Sequence, residues 1–174
     1  MLGGILVNKM NHIHKQFATI RCKIITVSDT RTKETDKSGN AMKEILQQQY
    51  HKIQEYIVIK DDAKEIAKEV MAAVSDEHID AILINGGTGI SPRDVTIEAI
   101  SPLLTKELPG FGEIFRMLSY TEDIGSSAML SRAIAGTIQT TAVFATPGST
   151  GAVRLAMNRL ILPELVHIVS ELHK

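Results

Sequence analysis

The stretch Asn85-Gly86-Gly87-Thr88-Gly89 is the part of this chain best suited to hold an anion. Glycine lets the backbone take positive φ and lets a ligand approach the amides. Successive N–H groups facing one concavity suit a phosphate or a carboxylate. The same letters also describe a plain strand-to-helix turn. No Gly-Lys-Ser/Thr comes after it, so this is not a Walker loop, and the GxGxxG dinucleotide pattern is absent.

Asp94 lies downstream within Pro92-Arg93-Asp94-Val95-Thr96. A carboxylate beside a phosphate cradle is unfavourable unless a cation lies between them, and Mg²⁺ binds one or two carboxylates plus phosphate oxygens. The spacing also fits a cap for the next helix. Asp61-Asp62 poses the same choice. Glu65 lies three residues after Asp62, a capping-box-like pattern. That assigns the cap to Asp62 and leaves Asp61 free to face a cleft. Asp61 and Asp94 from separate strand ends would make a Mg-nucleotide site. Pro147-Gly148-Ser149-Thr150 precedes a helix, where capping and anion binding can coexist. No Ser-His-Asp or Cys-His arrangement has support. His51, His78 and His167 read as helix or helix-end surface and take no role.

The elements that must position these loops alternate. Residues 24–27, 56–59, 81–84 and 142–145 are short apolar runs that read as buried strands. Helical spacing runs from residue 41 to 49, through Ile66, Val70 and Val74, over 96–104 and 111–118, and over 151–172 with a kink or division at Pro163. This pattern predicts an α/β fold: three layers, α/β/α, around a mostly parallel central sheet. In such sheets ligands bind beyond the carboxyl ends of the strands. Ser28-Asp29, Asp61-Asp62, the glycine turn and Pro147-Gly148-Ser149 all fall there, so four loops should converge on one edge.

Composition narrows the function further. A net charge of -1 with scattered Lys and Arg is not the basic field of a nucleic-acid binder. No apolar stretch is long enough to cross a bilayer. The single cysteine, Cys22, excludes an intrachain disulfide and points to a reducing, cytoplasmic setting; it opens an apolar run and reads as a buried thiol. Aromatics are 4% and Trp is absent, so the core must come from Ile, Leu, Val, Ala and Met. Residues 1–19 are expected to be a tail or an added strand, with Met10 as a second possible start. They make a poor signal peptide, and His12 and His14 lack partners for a metal site. Residues 20–174 form one domain.

Taken together, these motifs resemble the MoaB/MogA molybdopterin-binding family. The resemblance rests on Ile25-Thr26-Val27-Ser28-Asp29, Asp36-Lys37-Ser38-Gly39, the glycine turn with residues 92–96, Pro109-Gly110-Phe111-Gly112, Met129-Leu130-Ser131-Arg132 and Thr146-Pro147-Gly148-Ser149. It covers roughly residues 20 to 170 in order, and residues 110–119 look closer to the MoaB branch than to the MogA branch. It implies a trimer, or a hexamer of paired trimers, that binds molybdopterin. It further implies transfer of AMP from Mg-ATP to the pterin's terminal phosphate with release of pyrophosphate, with a non-catalytic molybdopterin carrier as the alternative, and contact with other molybdenum-cofactor enzymes. By the same resemblance Asp61 and Asp94 are the catalytic, Mg²⁺-holding acids. Gly86, Gly87, Thr88 and Gly89 cradle phosphate, Ser119 and Ser131 line the pterin and nucleotide site, Pro147, Gly148 and Ser149 supply amides, and Ser28 and Asp29 form a cleft wall. The chain departs from the pattern in loop 30–35, which has no glycine, and at Lys60, where proline is common.

Overall fold

The computed structural model describes residues 19–174. The tail expected over residues 1–19, with His12 and His14, lies outside the described residues except for Thr19. Six strands form one sheet in the order β2-β1-β3-β6-β5-β4. They are β1 (Arg21–Val27), β2 (Lys52–Ile59), β3 (Ala81–Asn85), β4 (Lys106–Glu107), β5 (Ile134–Ile138) and β6 (Thr141–Thr146). Strands β2, β1, β3 and β6 are parallel. β5 is antiparallel to β6, and β4 to β5.

The helices are α1 (Lys37–Gln48), α2 (Ala63–Val74), α3 (Thr96–Ile100), α4 (Pro109–Glu122), α5 (Thr150–Ala156) and α6 (Leu162–Leu172). Period two in the strands divides the core between the two faces of the sheet. Ile24 and Leu83 join Met42, Leu46, Phe115, Val153 and Leu165, from α1, α4, α5 and α6. Ile25, Ile82 and Ile84 join Ile66, Val70 and Ile100, from α2 and α3. The result is the expected α/β/α sandwich. Its central strands are buried on both sides, which explains their continuous apolar runs.

Nothing in the spacing of residues 131–141 announces a strand, yet β5 is there. Gly136 interrupts its apolar pattern, and a Cβ at that position would overlap the Lys106 carbonyl of β4. Helix α3 is shorter than its periodicity suggests and passes into a 3₁₀ turn at Ser101–Leu103, where Pro102 removes a donor. Helix α4 instead runs on to Glu122. At Pro163 the expected division occurs one turn early, as a π turn over Met157–Ile161. The Leu162 amide donates to the Met157 carbonyl, and Pro163 then sits in the first turn of α6. His51 is not on the surface: it is buried, accepts a bond from the Ile20 amide at 3.2 Å, and burial lowers its pKa.

Candidate functional site

The four parallel strands end on the same edge, and their loops enclose a cavity of about 440 Å³. Ser28 comes from the end of β1, Asp61 from β2, the turn 86–89 and Asp94 from β3, and Pro147 and Gly148 from β6; Ser131 joins them from the segment before β5. Ten predicted residues therefore meet at one place. Asp29, Ser119 and Ser149 do not line it. Asp29 stands behind the wall, ion-paired with Arg93 and accepting from the Asp61 amide at 3.4 Å. Ser149 caps α5 by accepting from the Ala152 amide at 3.2 Å. Ser119 is buried on α4. Pro147 has no N–H, so any amides from this loop come from Gly148 and Ser149 alone.

The glycine turn is held from several sides. Gly86 has φ 95° and Gly87 φ 61°, and a Cβ on Gly86 would overlap the Val27 carbonyl. The Gly86 amide donates to the Thr146 carbonyl at 3.0 Å, and buried Thr96 donates its hydroxyl to the Gly86 carbonyl at 2.9 Å. Arg132 clamps the far end. Its Nε donates to the Thr88 carbonyl at 2.9 Å and its Nη2 to the Gly89 carbonyl at 2.7 Å, while Nη1 pairs with Glu98. In a trans peptide the carbonyl of one residue and the N–H of the next point in opposite directions. Arg132 lies outside the cavity, so drawing those carbonyls toward it turns the amides of Gly89 and Ile90 the other way.

The acids occupy one end of this cavity. Asp62 caps α2, accepting from the Glu65 amide at 2.8 Å, which leaves Asp61 for the cavity as expected. Asp94 does not cap α3, whose N-cap Val95 makes no side-chain bond; its Oδ2 accepts instead from the upstream Ser91 amide at 2.9 Å. The Asp61 carboxyl lies 2.6 Å, and the Asp94 carboxyl 2.8 Å, from where Cβ atoms on Gly87 and Gly89 would stand. Burial raises the pKa of Asp61, and the carboxylates of Asp29 and Asp94 raise it further. Asp61 and Asp94 are the residues here that could hold a divalent cation. Among the described residues no set of three His, Cys, Asp or Glu is arranged to hold a metal. Two carboxylates plus ligand phosphates are what Mg²⁺ commonly uses.

Behind the other end lies a buried polar network that spacing does not reveal. Asp36 is fully buried. It accepts from the Tyr56 hydroxyl at 2.6 Å, the Ser38 hydroxyl at 2.8 Å and the Gly39 amide at 3.0 Å. Burial pushes its carboxyl up, but bonds from Thr26, Tyr56, Gly39 and Ser38 outweigh this and hold it below its usual range. Arg31 packs onto this network and lines the cavity, as do Val27 and Leu130. The loop it sits on needs no glycine. The Asp36 amide donates to the Thr32 carbonyl at 3.0 Å, and the Thr32 amide to the Thr35 hydroxyl at 2.9 Å. Arg31 lies five residues before Asp36, which was the one available signal for it; Arg132 was marked only by its place in the Met129-Leu130-Ser131-Arg132 motif.

A family model described as a probable molybdopterin binding domain matches residues 23–167. The chain is 64% identical over 163 residues to molybdenum cofactor biosynthesis protein B of Bacillus subtilis (strain 168), covering 92% of this chain and 96% of that protein. A crystal structure of molybdenum cofactor biosynthesis protein B superposes with a TM-score of 0.88 at 62% identity, covering 89% of this chain and 96% of that one. The tungsten cofactor synthesizing protein MoaB from Pyrococcus furiosus gives 0.80 at 37% identity, covering 90% and 98%. With a matching sheet and motifs in matching order, the chain belongs to the MoaB/MogA molybdopterin-binding family, on the branch of molybdenum cofactor biosynthesis protein B.

Proposed function

We propose that this protein acts in molybdenum-cofactor biosynthesis as a molybdopterin adenylyltransferase. The observation that carries this reading is the placement of Asp61 and Asp94 in one cavity with the glycine turn. A bound Mg²⁺ would neutralise phosphate charge between these two carboxylates. The chain itself does the positioning. The turn 86–89, held by Thr96 and Arg132, offers backbone donors to a phosphate, and Asp61 and Asp94 would hold the cation through which the nucleotide's polyphosphate is oriented. An oxygen of the pterin's terminal phosphate attacks the α-phosphorus of ATP. The bond from that phosphorus to the bridging oxygen breaks, and pyrophosphate leaves with its electron pair. No general base is required, because the attacking phosphate is already ionised at neutral pH.

Purified protein given molybdopterin and Mg-ATP should release pyrophosphate in step with adenylylated pterin. Asp94→Asn should keep pterin affinity and lose the transfer. Pterin binding by the wild type without pyrophosphate release would instead make this a carrier.

Self-association as a trimer or hexamer belongs to the same reading. Ile114, Met117 and Tyr120 on α4, with Ile124, Met129 and Leu130 after it, are large apolar side chains left exposed close together in sequence, which is what a subunit contact would cover. The single cysteine supports a reducing, cytoplasmic setting, and no helix among the described residues is long and apolar enough to cross a membrane.

A further inference from the structure

The cavity is electrically polarised, and its cationic end is built rather than incidental. Among the described residues lining it, Arg31 is the one cation. Its Nη1 donates to the Ser38 hydroxyl at 2.7 Å and lies 3.5 Å from the Asp36 carboxylate. Ser38 Oγ is also 2.8 Å from Asn85 Oδ1, and Asn85 Nδ2 donates to the Thr26 hydroxyl at 2.9 Å. The guanidinium is thus tied through Ser38 to β3 and β1, and through Asp36 and Tyr56 to β2.

This anchoring does more than neutralise Asp36. That carboxylate already accepts from Tyr56, Ser38 and Gly39 at shorter distances than its 3.5 Å approach to Arg31. One nitrogen of Arg31 is pinned, while Nε and Nη2 have no hydrogen-bond partner among the described residues. A planar guanidinium with one edge fixed and its remaining donors free is suited to a phosphate in a forked, directional contact.

Its position along the floor gives the contact a place. A Cβ on Gly148 would stand 3.5 Å from Arg31 Nη1 and 3.0 Å from Gly86 Cα. Asp61 and Asp94 lie against Gly87 and Gly89 instead. One end therefore presents a cation, the other two carboxylates that need a metal before they can face phosphate. A pocket joining a phosphate monoester to a metal-bound triphosphate requires both kinds of end.

We infer that Arg31 receives the terminal phosphate of the pterin directly, without a metal, at the Gly148 end of the cavity. This rests on the reading of the cavity as a pterin and nucleotide site. The probe is the oxidised, fluorescent molybdopterin derivative, used with its phosphate and again after phosphatase treatment, titrated into the full chain in EDTA. The wild type should prefer the phosphorylated form by about tenfold or more, the size of one charge-assisted contact. Arg31→Gln should lose about tenfold for that form and nothing for the dephosphorylated one, and Arg31→Lys should recover only part. In the wild type, the Nε–H resonance of Arg31 should shift with the phosphorylated pterin alone, a readout that needs no variant to fold. A wild type that ignores the phosphate, or an Arg31→Gln that keeps the full preference, overturns the inference and leaves the pterin site standing. Binding of neither form overturns the site, and the inference with it.

Discussion

Replacing Arg132 by Gln should loosen the anion turn from outside the cavity. The side chain makes two short charge-assisted bonds, at 2.9 Å to the Thr88 carbonyl and 2.7 Å to the Gly89 carbonyl. A third approach, to the Asp94 carbonyl, is 3.5 Å and adds little. Bonds to a charged group are worth roughly 1.5–3 kcal/mol each. Water can replace part of this, because the side chain is 32% exposed, so the expected stability loss is about 2–3 kcal/mol. The partner Glu98 is 54% exposed, so Glu98→Gln should cost under about 1 kcal/mol and serves as the control. Function should fall as well. A turn no longer held must be ordered on binding, at about 1–2 kcal/mol per residue fixed, so affinity for Mg-ATP should drop by about tenfold or more. Urea unfolding, calorimetric titration of Mg-ATP, and hydrogen exchange at the Gly89 amide measure the three effects. Unchanged exchange and affinity within twofold of wild type would refute Arg132 as a positioning residue, even if some stability were lost.

Asp61→Asn should stabilise the ligand-free protein at neutral pH. The folded-state pKa of Asp61 is raised, so its contribution is fully present below the unfolded value and is lost as pH rises through the folded one. The gain in Tm should therefore be larger at pH 7 than at pH 4, and the variant should no longer be stabilised by Mg²⁺ with nucleotide. Asp36 has the opposite sign: its lowered pKa gives stability above the unfolded value that is lost as pH falls through the folded one. Asp36→Asn should cost about 2–3 kcal/mol at pH 7 and less at pH 3, by urea unfolding at each pH. Cys22 is fully buried and burial pushes its thiol up to about 12, so a thiol reagent at pH 8 should leave the native protein untouched and titrate one thiol after unfolding.

The parallel strands and the turns at their ends were legible because each signal is local. A buried parallel strand is a run of β-branched residues, and the chain must leave its carboxyl end through a loop. The division of labour between Asp61 and Asp62 could be read from Glu65 alone, and the structure keeps it. Asp94 was ambiguous because cap and cavity residues share a spacing; only the position of the Ser91 amide separates them. The roles of Arg31 and Arg132 depend on partners 7 and 44 positions away, and β5 reads as a strand only once it is laid between β6 and the two residues of β4. Gly136 is explained by a neighbouring strand's carbonyl, and Arg132 by the backbone of a turn it meets only after folding. No short window of sequence contains both halves of the Gly136 and Arg132 contacts.

For AMP transfer to proceed as proposed, Asp61 and Asp94 must share one divalent ion. Crystals grown with Mn²⁺ and a non-hydrolysable ATP analogue, measured for anomalous scattering, test this most directly. A single Mn²⁺ peak within coordination distance of both carboxylates, beside the turn 86–89, is the predicted result. A nucleotide bound there with its metal touching neither Asp61 nor Asp94, or a metal elsewhere on the chain, would contradict it.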